Sequence, residues 1–156
     1  MASKRTKKVK QAFDPPSRQI REGGNVDAYY SAHPSWRFHE CDKNEWSIDS
    51  PEVREIFCGE ILRRIRDLEA QTWREILIDA KKENHSIPVE DLTPKAAREF
   101  SKLNLDSRIA DIISLRVTGS HRIYGFIEDR IFHVIWIDLH HGNNDQCVCR
   151  SNLKHT

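Results

Sequence analysis

ISLRVTGSHRIYGFIEDRIFHVIWIDL, residues 113–139, holds the pattern that decides the fold. Apolar and β-branched residues dominate it, no proline interrupts it, and turn residues fall at Thr118-Gly119-Ser120 and at Glu128-Asp129. Such a stretch predicts a three-strand antiparallel meander, with strands at about 112–118, 121–127 and 130–138. Register follows from matching apolar faces, because a slip of one residue inverts every side chain. A three-residue first loop pairs Leu115 with Ile123. An even second loop closing through Ile127 and Arg130 sets Tyr124 opposite His133 and Gly125 opposite Phe132. One face then carries Ile113, Leu115, Val117, Ile123, Phe132, Val134 and Trp136 toward the helices, with Gly125 leaving room for the Phe132 ring. The other face carries Arg116, Arg122, Tyr124 and His133.

Arginines directly opposed on a sheet repel one another unless an anion or a carboxylate lies between them. Arg116 and Arg122 therefore mark a candidate anion site. The plainer reading pairs Arg116 with an acidic helix residue and leaves Tyr124 and His133 half-buried on a solvated face.

A chain of 156 residues fits one domain with a real core. It contains no apolar run long enough to span a bilayer, and its basic N-terminus lacks the apolar stretch of a signal peptide, so the expected location is cytoplasmic. Cys41, Cys58, Cys147 and Cys149 are too sparse for a disulfide framework and are expected to be free thiols. The net charge of +1 conceals a division. Residues 1–22 hold seven Lys or Arg against two acids, leaving 18 bases against 22 acids in the remainder. The organisation expected is a basic, disordered arm over 1–27 and a single α+β domain over 28–156.

Ser50, Pro51 and Glu52 supply an N-cap, a first-turn proline and a carboxylate at the positive end of a helix dipole. Val53, Phe57, Ile61, Ile65 and Leu68 then recur at spacings of three and four, and Trp73, Ile76 and Leu77 extend the stripe toward about residue 81. Glu60, Arg63, Arg64, Arg66 and Asp67 fall on the opposite, solvated side. Thr93-Pro94 opens a shorter helix through Ala96, Ala97, Phe100 and Leu103, with Asn104 as its stop. A short strand is possible at Ser35 to Glu40. The whole predicts two helices of the N-terminal half packed on a three- to four-stranded antiparallel sheet.

Helices in this order followed by LRVTGSHRIYGFIEDRIFHVIWI resemble the RelE/ParE toxin superfamily over roughly residues 50–141, by element order more than by motif. That resemblance implies a toxin of a toxin–antitoxin system. Its RelE-like members cleave ribosome-bound mRNA without a metal, its ParE-like members poison gyrase, and an antitoxin usually wraps the toxin. It places Arg116 and Arg122 where such toxins contact RNA phosphate, and His140 or His141 where they carry a further basic residue. Cleavage requires a base for the ribose 2′-hydroxyl, a cation for the pentavalent phosphate and an acid for the leaving oxygen. Arg116, Arg122, Tyr124, His133 and His141 are thus the candidate catalytic residues, and Lys154 and His155 could complete an anion site with the two arginines. No cofactor is implied, and the expected partners are an antitoxin and mRNA or the ribosome. The alternative is a non-catalytic inhibitory or interaction module on the same fold. An acidic body and an unmatched C-terminal segment set this chain apart from small, strongly basic ribosome-directed toxins.

Asp138, His140, His141, Cys147, Cys149 and His155 crowd together, and zinc accepts all three residue types. The Cys-x-Cys gap is one residue short of a knuckle, however, and adjacent strand residues face opposite ways. No metal site is expected. The cysteines are read instead as an edge strand or as reduced surface thiols.

Overall fold

The computed structural model of the chain describes residues 26–143 and 145–150. All but the end of the predicted arm, and both Lys154 and His155, lie outside the described residues. The architecture is α+β. Helix α1 (Val26–Ser31) and strand β1 (Ser35–Arg37) precede α2 (Pro51–Ile56) and α3 (Leu62–Glu69), then β2 (His85–Pro88), α4 (Pro94–Lys102) and the meander β3 (Asp111–Arg116), β4 (Arg122–Glu128) and β5 (Ile131–Asp138).

The strand order is β1-β5-β4-β3-β2, with β1 parallel to β5 and the remaining pairs antiparallel. The sheet is therefore five-stranded and mixed, not a three- to four-stranded antiparallel one. β2 falls between the two predicted helices, where the sequence predicts no strand, and β1 is shorter than its predicted span.

The first hairpin matches expectation, since Leu115 pairs with Ile123 and Arg116 lies opposite Arg122. The second does not. It closes through Glu128 and Ile131 around Asp129 and Arg130, both at positive φ (52° and 68°), the backbone of a two-residue type I′ turn. Phe126 consequently opposes His133, and Ile127 opposes Phe132. Between Tyr124↔Trp136 and Gly125↔Val134 one residue, Ile135, is left over as a bulge. The bulge reverses the predicted side of Trp136, which packs with Tyr124 on the second face.

Helices cover both faces of the sheet. Ile113, Leu115, Ile123, Ile127, Phe132, Val134 and Ile137 pack against Val53, Ile61, Ile65, Leu68, Trp73 and Leu77. On the opposite side Ile112, Tyr124, Phe126, Ile135 and Trp136 pack against Ala96 and Phe100 of α4 and against Leu105, Ile109, Val148 and Cys149. The second face, expected to be open, is thus largely buried, because α4 and the C-terminal segment close over it. Cys147 and Cys149 are buried rather than surface thiols, although all four cysteines are free. Cys149 forms an isolated bridge with Leu92.

The predicted caps form. Ser50 Oγ accepts from Val53 N (3.3 Å), Thr93 Oγ1 accepts from Ala96 N (3.4 Å), and Asn104 terminates α4 at φ 56°. The first long helix is interrupted. A π-helical turn at Phe57–Ile61 separates α2 from α3, and a new helical segment starts at Trp73. Its start is fixed by Thr72 and Glu75, whose side chains each accept the other's backbone N–H (Glu75 N to Thr72 Oγ1, 3.3 Å; Thr72 N to Glu75 Oε2, 2.7 Å).

Candidate functional site

Four of the five sequence candidates gather at the end of the sheet where β3 leaves and β4 begins. Arg122 faces Arg116 on one side and Asp138 on the other. Tyr124 follows on the same face as Arg122. His141 is brought there by the chain leaving β5, and its backbone N–H donates to Ser120 O in the β3–β4 turn (3.0 Å). Its Nδ1 lies 3.5 Å from the Tyr124 hydroxyl and 3.8 Å from Cys149 Sγ, and the phenol contacts that thiol at 3.2 Å.

These groups differ sharply in access. Arg122 is 8 % exposed and Tyr124 fully buried, whereas Arg116 is exposed and His141 half-buried. The Arg122 Nη1 donates to the carbonyls of Thr118, Gly119 and His121, so the guanidinium closes the β3–β4 turn. Burial lowers its pKa from the usual value, and the Arg116 charge acts in the same direction. Burial raises the Tyr124 phenol well above 10, with Cys149 and Asp138 adding to the effect. Burial likewise raises the Cys149 thiol, which holds it as a neutral thiol and removes it as a nucleophile.

Asp138 is fully buried and accepts the backbone N–H groups of His140 (2.8 Å) and Val148 (2.9 Å). Burial raises its carboxyl above 3.8, against those two hydrogen bonds. Its role is to tie the C-terminal segment to the sheet. Among the described residues no group of three or more His, Cys, Asp or Glu side chains is placed to hold a metal ion.

Arg116 meets no carboxylate among the described residues, which removes the plainer pairing. Its strand end is clamped through the backbone: Arg64 Nε donates to Arg116 O (2.7 Å), and Asn84 Oδ1 accepts from Arg116 N (3.0 Å). Arg64 and Glu60, expected on a solvated helix face, are both half-buried at this end, where Glu60 Oε2 lies 2.7 Å from His121 Nδ1. Helical periodicity assigns them to the side away from the apolar stripe but gives no sign that this side meets the end of β3.

His133 is not part of this cluster. It lies opposite Phe126, with the rings stacked 4.7 Å apart and 6° from parallel, and Arg37 of β1 is its register partner across the parallel pair. Arg108 sits 5.7 Å over the Phe126 ring and bridges Glu128 (2.6 Å) and Glu40 (3.4 Å). Arg37, His39, Glu40, Arg108, Glu128, Asp129, Ile131 and His133 line a cleft of about 410 Å³. Arg108 lies in a loop that carries no recognisable motif, so sequence alone could not place it here.

No protein-family model, characterised protein or solved structure matches the chain. No helix among the described residues is long and apolar enough to cross a membrane.

Proposed function

We propose that the protein is a toxin-type binding module with a RelE/ParE-like sheet, gripping the sugar–phosphate backbone of RNA through Arg116, flanked by Arg64 and His141. One observation carries this reading: exposed Arg116 stands directly opposite Arg122, whose carboxylate neighbour Asp138 lies on its far side, and Arg116 itself meets no carboxylate among the described residues. A like-charged cross-strand pair is unfavourable by itself, and a bound phosphate converts it into a charge-assisted contact. Binding is favoured over cleavage because Arg122 is committed to the turn carbonyls and Tyr124 is buried. An antitoxin that masks this end of the sheet follows from the same reading.

Cleavage by a metal-independent endoribonuclease is the second reading, favoured by the contact that sets the His141 imidazole beside Tyr124 and the arginines. A neutral imidazole there could take the 2′-hydroxyl proton while Arg116 holds the phosphate. The two readings separate on induced expression in a bacterial host, followed by primer extension on its transcripts and by RNA binding in vitro. The binding module arrests growth without new transcript ends, and Arg116→Ala weakens RNA binding about tenfold and reduces its salt slope by about 0.7. New ends that disappear in His141→Ala establish the nuclease instead. Equal RNA affinity of parent and Arg116→Ala would sink both.

A further inference from the structure

We infer that the cleft between β1 and the β4–β5 turn is a second, separate binding site, for the terminal phosphate monoester of a small molecule or of an RNA end. Its floor is His133, 6 % exposed, with Nδ1 buried and without a hydrogen-bond partner. A neutral imidazole tolerates an unpaired lone pair better than an unpaired N–H, so the proton belongs on Nε2. The ring then offers Nε2–H as its remaining donor.

Arg37, the register partner of His133, is exposed, lines the same cleft and forms no ion pair with any described residue. His39 adds a third donor on the rim. Three donors, one guanidinium and two imidazoles, around one space suit a tetrahedral oxyanion better than a planar carboxylate. Three carboxylates, Glu40, Glu128 and Asp129, line the cleft against the two guanidiniums of Arg37 and Arg108. Arg108, fixed over Phe126, holds Glu40 and Glu128 but offsets only one of their two charges, so Arg37 and the two imidazoles carry the contact to the phosphate. A volume of about 410 Å³ exceeds what a phosphate alone fills, leaving room for the ester group that carries it.

The site shares no residue with the Arg116 end, so either can fail without the other. Isothermal titration of the full chain with uridine 3′-monophosphate and with uridine tests it. The phosphate form binds at least about tenfold more tightly, the scale of one charge-assisted contact. Arg37→Gln, a change at an exposed side chain, abolishes that preference, and Arg116→Gln retains it. A short RNA compared before and after removal of its terminal phosphate identifies the source: discrimination assigns an RNA end, equal binding a small phosphorylated molecule. No preference for the phosphate in the parent protein, or a preference that survives in Arg37→Gln, overturns the inference.

Discussion

Gly125 sits beside the bulge of β5, where a Cβ built on its backbone would lie 2.1 Å from the His133 carbonyl oxygen and 2.6 and 2.9 Å from Phe132 ring atoms. Even weak C–H···O contacts keep about 3.3 Å, so Gly125→Ala must displace the neighbouring strand by roughly 1 Å. The Phe132 ring has little room to yield. It is fully buried, with Trp73 and Trp36 packed 6.0 and 5.2 Å from its centroid. Overpacking of this kind costs about 1–3 kcal/mol, and a ladder hydrogen bond stretched beyond use adds about 1 kcal/mol. We expect a loss of about 3 kcal/mol. Urea unfolding followed by tryptophan fluorescence reads it as a fall in midpoint of about 1.5 M, for a denaturant slope near 2 kcal/mol per molar. Gly59→Ala is the matched control, since its Cβ meets nothing within 4 Å in a helical segment. It should raise stability by up to about 1 kcal/mol. A Gly125→Ala midpoint within about 0.3 M of the parent would refute the packing described for the bulge.

Asp42 Oδ2 accepts the buried Trp136 indole N–H at 3.0 Å, so Asp42→Ala should cost about 2 kcal/mol in the same unfolding assay, and a cost under about 0.5 kcal/mol would contradict that role. Thr93 both caps α4 and donates to the carbonyls of Cys147 or Val148, so Thr93→Ala should cost about 2 kcal/mol while Thr93→Ser keeps most of it. Arg130→Gly relieves a positive φ in the type I′ turn and should stabilise by about 1 kcal/mol; a destabilised variant would contradict the turn assignment. Burial lowers the His133 pKa below 6.5, so the unfolded chain binds its proton more tightly. The His133 contribution to stability is therefore present above pH 6.5 and lost as pH falls through the lowered value. His133→Phe should remove that acid limb from a plot of unfolding free energy against pH, and an unchanged limb argues against burial as its origin.

Much of the fold is legible from local chemistry. The caps at Ser50 and Thr93, the stop at Asn104 and the first hairpin each depend on a few adjacent residues whose preferences are strong. The second hairpin shows where this ends. Asp129-Arg130 lacks the glycine that normally marks a type I′ turn, and alternation of apolar residues fits either register, so the bulge at Ile135 leaves no trace in the pattern. The break at Gln71-Thr72 was encoded, as Thr72-x-x-Glu75, yet the apolar stripe continues across it and conceals it.

The candidate site divides along the same line. Arg116 opposite Arg122 follows from the first turn, because register in a short hairpin is a local property. Exposure is not local. Tyr124 and Arg122 are covered only when α4 and the Cys147–Cys149 segment fold back over the sheet, and Arg64 reaches the end of β3 only through helix packing. Arg37 and His133 become neighbours only because β1, nearly a hundred residues earlier, adds in parallel to the edge of β5. By itself, then, the sequence determined the pairing of residues a few positions apart and the faces they share. The tertiary structure decided which face is closed, which arginines stay exposed, and which distant residues line a common cleft, since those depend on long-range burial rather than on backbone preference.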